Sequence, residues 1–365
     1  LSENYEKKMT KKIIVTGAGS AQANGVINCL LLDNEGEEII GLGSDPYDLV
    51  LCQAHKKYLM PHSRDPKYKE ALLKVLKLEN PSMIHFQHDF ELSVALRFRN
   101  EIEESGVKML IPDYETIDTC VHKYKSWLKF KQAGIIVPEN IVIHNPEDLK
   151  KAFQELGDEN GMIWLRSMSI GGGGKGALPT KDYKEASEWI DKTHGWGDFV
   201  AAELLSKDTV TWLSIWKDGE LVVGQGRRRK GWAHSALSPS GITGVTKIGE
   251  TYSNPIVDEI AIKSVQAVSS IPNGIYGVDM TYDRKGIPNP TEINISRFFT
   301  TIQFFAEAGL NMPKILKDIV IYDKMPKLER KLNPLKDGFL WLRGMDCLPL
   351  LTTQEQIDRM LLKIE

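Results

Sequence analysis

The chain has 365 residues, enough for a well-buried core and too many for one compact domain, so its length predicts two or three domains. A formal net charge of -3 argues against a nucleic-acid binder held by bulk charge, and no apolar run approaches the roughly 20 residues of a membrane span. The four cysteines, Cys29, Cys52, Cys120 and Cys347, include no CxxC pair, which points to the reduced structural thiols of a cytoplasmic protein rather than to disulfides or a thiolate zinc site.

The first elements alternate. "KIIVT" (12–16) is a β-branched run that reads as a buried strand. A helix over 25–32 follows, then a strand over 38–42 ending in Ser44-Asp45, a helix over 65–78, a strand over 83–86 and a helix over 91–105. "KMLIPD" closes the series as the last strand. Such alternation implies a parallel, doubly wound sheet over 11–115. Ligands of these sheets sit at the carboxyl ends of the strands, so residues 17–21, Asp45 and residues 87–91 are the positions to watch.

Beyond Pro112 the pattern changes. A helix over 120–132 stops at Gly134, and Asn145-Pro146-Glu147-Asp148 caps another. Then come the strand "MIWLRSM", the run "SMSIGGGGKG" (167–176), the extended "GALPT", a helix over 183–193 and the strand "FVAAELL". These form a small α+β unit that carries the glycine run between two strands. From Thr209 long strands dominate: "TVTWLSIW", an Asp218-Gly219 hairpin turn and "ELVVGQG". A helix over 257–270 precedes the strands "GVDMTY" and "TEIN". Residues 326–365 are lysine-rich, then apolar, then helical, and suggest no chemical role.

Glycines in such a run cost backbone entropy. They suit a flexible linker or a backbone that lies close against phosphate. A P-loop requires Ser or Thr after its lysine, whereas Gly176 follows Lys175. A protein-kinase loop would be followed by HRD-type and DFG elements, which are absent. Arg166 and Lys175 flank the glycines with phosphate-binding charge. The second constellation is "GVDMTYDRKGIPNPTEINISRF". Asp279 lies on one strand, and Glu292 and Asn294, two residues apart on the next, share a face. Two carboxylates and an amide oxygen make a hard oxygen site suited to Mg²⁺. The bland alternative is an exposed polar strand edge.

Together these residues resemble the ATP-grasp superfamily, particularly its carbamoyl phosphate synthetase large-subunit-like branch, over nearly all of residues 11–320. The resemblance implies an N-terminal Rossmann-like parallel sheet (11–115), a linker helix and lid subdomain with the glycine loop (116–205), and an ATP-grasp C-lobe with the metal site (206–320). A C-terminal extension (321–365) follows. By the same resemblance Lys123 contacts nucleotide phosphate, as do Arg166 and the loop residues Gly172, Gly173, Gly174 and Lys175. Glu203 is the acid near the adenine amino group, the Leu205 backbone pairs to the ring, and Asp208 meets the ribose hydroxyls. Asp279, Glu292 and Asn294 are the metal ligands. Arg297 faces the γ-phosphate and, with Lys175, is the catalytic cation. Two departures stand out. The family often reads E-x-N-P-R, whereas here the arginine comes one residue later, after Ile295-Ser296, and Thr291 replaces an apolar residue.

The implied activity is an ATP-dependent ligase that activates a small carboxylate as an acyl phosphate, releasing ADP and phosphate, for attack by an amine. ATP and Mg²⁺, with Mn²⁺ as a substitute, are the implied cofactors, and a homodimer is the implied assembly, with neither nucleic acid nor membrane as partner. Three alternatives stay open: bicarbonate as substrate, a non-catalytic nucleotide-binding regulator, and a nicotinamide-dependent oxidoreductase. The last rests on Gly17-Ala18-Gly19 and Asp45, with Gln22 where the fingerprint needs a third glycine. Arg227-Arg228-Arg229-Lys230 reads equally as a clamp for an anionic substrate, with Trp232 and His234 beside it, or as a solvated charge cluster. The histidines of "HFQHDFE" (85–91) suit backbone or substrate bonds better than a metal.

Overall fold

The computed structural model describes residues 10–168, 176–233, 245–344 and 348–360. Three sheets organise them. The first is parallel and comprises β1 (Lys12–Thr16), β2 (Glu38–Gly43), β3 (Lys56–Leu59) and β4 (Met83–His85), in the order β3-β2-β1-β4. Successive residues of β1 point to opposite faces and feed different cores. Ile13 and Val15 join the helix Ala21–Leu32 and the later helices Ile302–Glu307 and Met312–Tyr322, whereas Ile14 joins the helix Tyr68–Glu79. Burial on both faces is why β1 reads as a continuous apolar run.

Several local readings need correction. "KMLIPD" does not form a strand: Lys108 makes one parallel bridge to Met83, and Pro112, with no N–H to donate, cannot extend a ladder. The edge strand β3 escaped notice because its sequence, Lys-Lys-Tyr-Leu, is mostly solvent-exposed. The helix expected over 91–105 is three pieces, Asp89–Ala95, a 3-10 turn Leu96–Phe98, and Arg99–Glu104. The one expected over 120–132 breaks at His122, whose backbone is extended (φ -96, ψ 98), into Tyr114–Val121 and Lys123–Gln132. That break makes Lys123 the first residue of a helix.

The second sheet is antiparallel: β5 (Asn140–Ile143), β6 (Ile163–Ser167), β7 (Ala177–Thr180) and β8 (Phe199–Glu203), in the order β5-β8-β6-β7. The amphipathic helices Pro146–Leu156 and Tyr183–Lys192 bury Leu149, Ala186 and Ile190 against Ile163 and Leu165, a separate small core.

The third sheet comprises β9 (Thr209–Lys217), β10 (Glu220–Trp232), β11 (Thr246–Thr251), β12 (Gly274–Tyr282), β13 (Pro288–Ile295), β14 (Leu340–Leu342) and β15 (Leu350–Thr352), in the order β13-β12-β9-β10-β11-β14-β15. The β9–β10 turn places Asp218 (φ 50) and Gly219 (φ 86) in the left-handed region that tight hairpins need. β10 continues past Gly226, so Arg227 to Lys230 lie within a strand and alternate between its faces. The C-terminal segment adds β14 and β15 to this sheet.

Candidate functional site

The three sheets meet around one cleft of about 2140 Å³. Lys123, Arg166, Glu203, Leu205, Asp208, Asp279, Glu292, Asn294 and Arg297 all line it. Gly172, Gly173, Gly174 and Lys175 lie outside the described residues. The strands on either side of that run, β6 and β7, are antiparallel neighbours, and the Ser167 N–H donates to the Gly176 carbonyl at 3.1 Å.

The carboxylates sit on adjacent strands. Asp279 of β12 lies directly opposite Glu292 of β13, and the register slips just beyond, where Met280 faces Pro290. Thr291 is the extra residue of that bulge, and its hydroxyl donates to the Asp279 carbonyl at 3.1 Å. A bulge re-aims neighbouring side chains, which accounts for a threonine where an apolar residue was expected. Along β13, Glu292 and Asn294 face the cleft while Ile293 and Ile295 are buried. Lys123 contacts Glu292 at 2.6 Å, and the Lys123, Arg166 and Arg297 charges hold that carboxyl well below its usual range. Arg166 is half-buried at the end of β6; burial lowers its pKa and the Glu292 charge pulls it back up.

Asn294 connects the rest. Its amide nitrogen donates to Asp279 Oδ2 at 3.0 Å, and its oxygen accepts from Arg297. Ser296, a non-glycine residue at φ 55, turns the chain immediately before Arg297. This left-handed residue takes up the extra position in the spacing, so the arginine still returns to Asn294. Arg297 also lies 3.5 Å from Asp89, at the start of a helix in the first domain. Among the described residues no group of three or more His, Cys, Asp or Glu could hold a metal. The oxygen-only set of Asp279, Glu292 and Asn294 fits Mg²⁺, which keeps waters and shares its remaining positions with phosphate.

Sequence reasoning missed Thr211 of β9. Its hydroxyl donates to Asp279 Oδ1 and accepts from Arg227 at 2.8 Å and from Arg229 at 3.4 Å. At the end of β8 Glu203 is exposed and accepts the Glu139 N–H at 3.3 Å, and Leu205 and Asp208 follow on the connection to β9. In the first domain His85 is buried beside Gln87, with Nε2 2.6 Å from the amide oxygen, and burial drops its pKa to about 4. Gln87 in turn bonds the Phe298 backbone in both directions. Glu91, raised in pKa by burial, accepts from Thr16 at 2.6 Å and Tyr68 at 2.7 Å. His85 and Glu91 are thus occupied by protein partners.

No protein-family model matches the chain. It is 26% identical over 220 residues to the carbamoyl phosphate synthase large chain, N-terminal section, of Aquifex aeolicus, covering 56% of this chain and 38% of that protein. The chain therefore spans well under half the length of that curated relative. Its fold matches carboxyaminoimidazole ribonucleotide synthase from Aspergillus clavatus complexed with ATP, with a TM-score of 0.69 at 17% identity over 91% of this chain and 81% of the other. It matches Campylobacter jejuni biotin carboxylase, in a complex with β,γ-ATP, with a TM-score of 0.66 at 17% identity, covering 91% and 75%. The parallel sheet, the glycine run between two antiparallel strands and the carboxylate hairpin occur together in one chain that has the fold of these two enzymes and is similar in sequence to the carbamoyl phosphate synthase large chains.

Proposed function

We propose that the chain is an ATP-dependent ligase that phosphorylates a carboxylate, releases ADP, and joins the resulting acyl phosphate to an amine with loss of phosphate. The observation that carries this reading is the convergence of Asp279, Glu292 and Asn294 with three cations, Lys123, Arg166 and Arg297, in the cleft shared by all three sheets. The relatives support the same reading: the two similar structures bear the names of a synthase and a carboxylase, one in complex with ATP and the other with β,γ-ATP.

The chemistry asks the protein to bring two anions into line and to offset their repulsion. Mg²⁺ held by Asp279, Glu292 and Asn294 would neutralise charge on the transferring phosphoryl group. Arg166, on the small sheet, and Lys123, at a helix start, both act on the Glu292 charge and suit the nucleotide phosphates. Arg297, fixed between Asn294 and Asp89, suits the carboxylate and the acyl phosphate it becomes. Glu203, Leu205 and Asp208, on and just after β8, suit the adenine and ribose. No side chain acts as a covalent nucleophile, because the carboxylate oxygen attacks phosphorus directly.

The test is ATP consumption with Mg²⁺ against pooled small carboxylates and amines, separating ADP plus phosphate from AMP plus pyrophosphate. Pool-dependent ADP and phosphate is the expected result, with Glu292→Gln slowing turnover on the order of 10²–10³-fold. AMP and pyrophosphate, or a Glu292→Gln variant as fast as the parent, would overturn the reading.

A further inference from the structure

The basic stretch of β10 divides by face. Arg228 and Lys230 turn to Glu250, at 2.6 and 3.4 Å, and are neutralised there. Arg227 and Arg229 turn the other way. Arg227 is 1% exposed, lies 4.4 Å over the Phe299 ring, and donates to Thr301 and Thr211, both at 2.8 Å; its Nε has no hydrogen-bond partner. Arg229 lies 3.9 Å over Trp232 and spends its donors on the hydroxyls of Thr246, Thr209 and Thr211. Arg343, in the segment after β14, reaches the same place: its Nη1 lies 3.4 Å from the carbonyls of both Thr246 and Thr300, which line the cleft.

Three guanidinium groups thus gather beside the metal ligands with few countercharges. Among the described residues neither Arg227 nor Arg343 has a carboxylate within ion-pair distance, and the carboxylate nearest Arg229 is Asp279 at 3.9 Å. Asp279 is already committed to Thr211 and Asn294. Residues 234–244, which connect β10 to β11, contain neither Asp nor Glu. Withdrawing a cation from water without a partner is costly, and a cluster of them more so. Threonine hydroxyls and an indole face fix the Arg229 fork in advance, the arrangement that binds carboxylate or phosphate with little loss of freedom.

We propose that Arg229 and Arg343, backed by Arg227, form a subsite for a second anionic group on the carboxylate substrate, which is therefore a dianion: a dicarboxylate or a phosphorylated carboxylate. This deepens the ligase reading and rests on it for the role of the first carboxylate. A substrate with one charge, engaged near Arg297, leaves the second subsite uncompensated.

The test is calorimetric binding to the full chain without nucleotide, at constant ionic strength, using succinate, 3-phosphoglycerate and butyrate as probes. At least one of the dianions is expected to bind on the order of tenfold or more tighter than butyrate. Succinate alone would assign a carboxylate to the subsite, and 3-phosphoglycerate alone a phosphate. Arg343→Gln and Arg229→Gln, checked for fold by circular dichroism and for retained MgATP binding, are each expected to lose that preference. Arg99→Gln, which removes an exposed arginine paired with Glu103, is expected to keep it. A chain that binds no probe, binds all three alike, or keeps its preference in both cleft variants would overturn the proposal. Dianion binding through these arginines with no ADP release would instead count against the ligase reading alone.

Discussion

Thr211 holds the site together with one hydroxyl. It touches the carboxylate of Asp279 and the guanidinium groups of Arg227 and Arg229, and it is 2% exposed. Thr211→Val keeps the shape and removes the hydroxyl, leaving a carboxylate oxygen and a buried guanidinium N–H each short of a partner. The expected cost is about 1–3 kcal/mol of folding stability, read as a lower urea midpoint at unchanged slope. An unchanged midpoint would mean that water replaces the hydroxyl. The gathering of Asp279, Glu292 and Asn294 was legible in the sequence because two-residue spacing puts Glu292 and Asn294 on one strand face and the hairpin returns them beside Asp279. Thr211 was not, since a threonine in a strand looks the same whether it joins two ions or merely suits the pleat. Arg343 was hidden by distance along the chain, 46 residues beyond Arg297, and Ser296 by a backbone conformation that its side chain does not announce.

At the scale of elements, Glu79 shows how the parallel sheet is fastened at its end remote in sequence from the site residues. This last residue of the helix Tyr68–Glu79 is 4% exposed and accepts from Lys12 of β1 at 2.7 Å, from Lys56 of β3 at 3.1 Å, and from the Tyr58 hydroxyl. Lys12 and then Tyr58 bring its pKa down to about 2. An unfolded glutamate titrates near 4.3, so this contribution is complete above that value and is lost as the pH falls through about 2. Glu79→Gln is expected to lose about 1–2 kcal/mol at pH 7, a figure reduced for solvent screening of the lysines. The gap to the parent should narrow between pH 5 and 2.5 in denaturant titrations; a gap constant with pH would remove the charge from the explanation. The same corner shows why β3 was missed in the sequence. Its Lys56 answers both Glu38 and Glu79, partners that only the fold supplies. β1 and β2 were legible because both of their faces are buried, and the split near His122 was not, because the apolar period runs across it.

At the scale of the molecule, the first domain and the large sheet are tightly joined. Lys317 of the helix Met312–Tyr322 meets Glu37 at 2.8 Å, both side chains 3% exposed, and Gln87 clasps the backbone just after Arg297. The small sheet has its own core and meets the turn after β12 through the exposed Arg284, which pairs with Asp158 at 2.7 Å. The overall order of units was legible from alternation followed by long strands; the return of residues 340–352 to the edge of the large sheet was not. The central claim is that this assembly turns a carboxylate into an acyl phosphate. The direct test is a turnover with ¹⁸O-labelled carboxylate, using the acid that elicits ADP release, followed by mass analysis of the phosphate. One ¹⁸O delivered to inorganic phosphate per turnover is the expected result, since the attacking carboxylate oxygen leaves with phosphorus when the amine adds. Phosphate free of label, or label found in AMP, would contradict it.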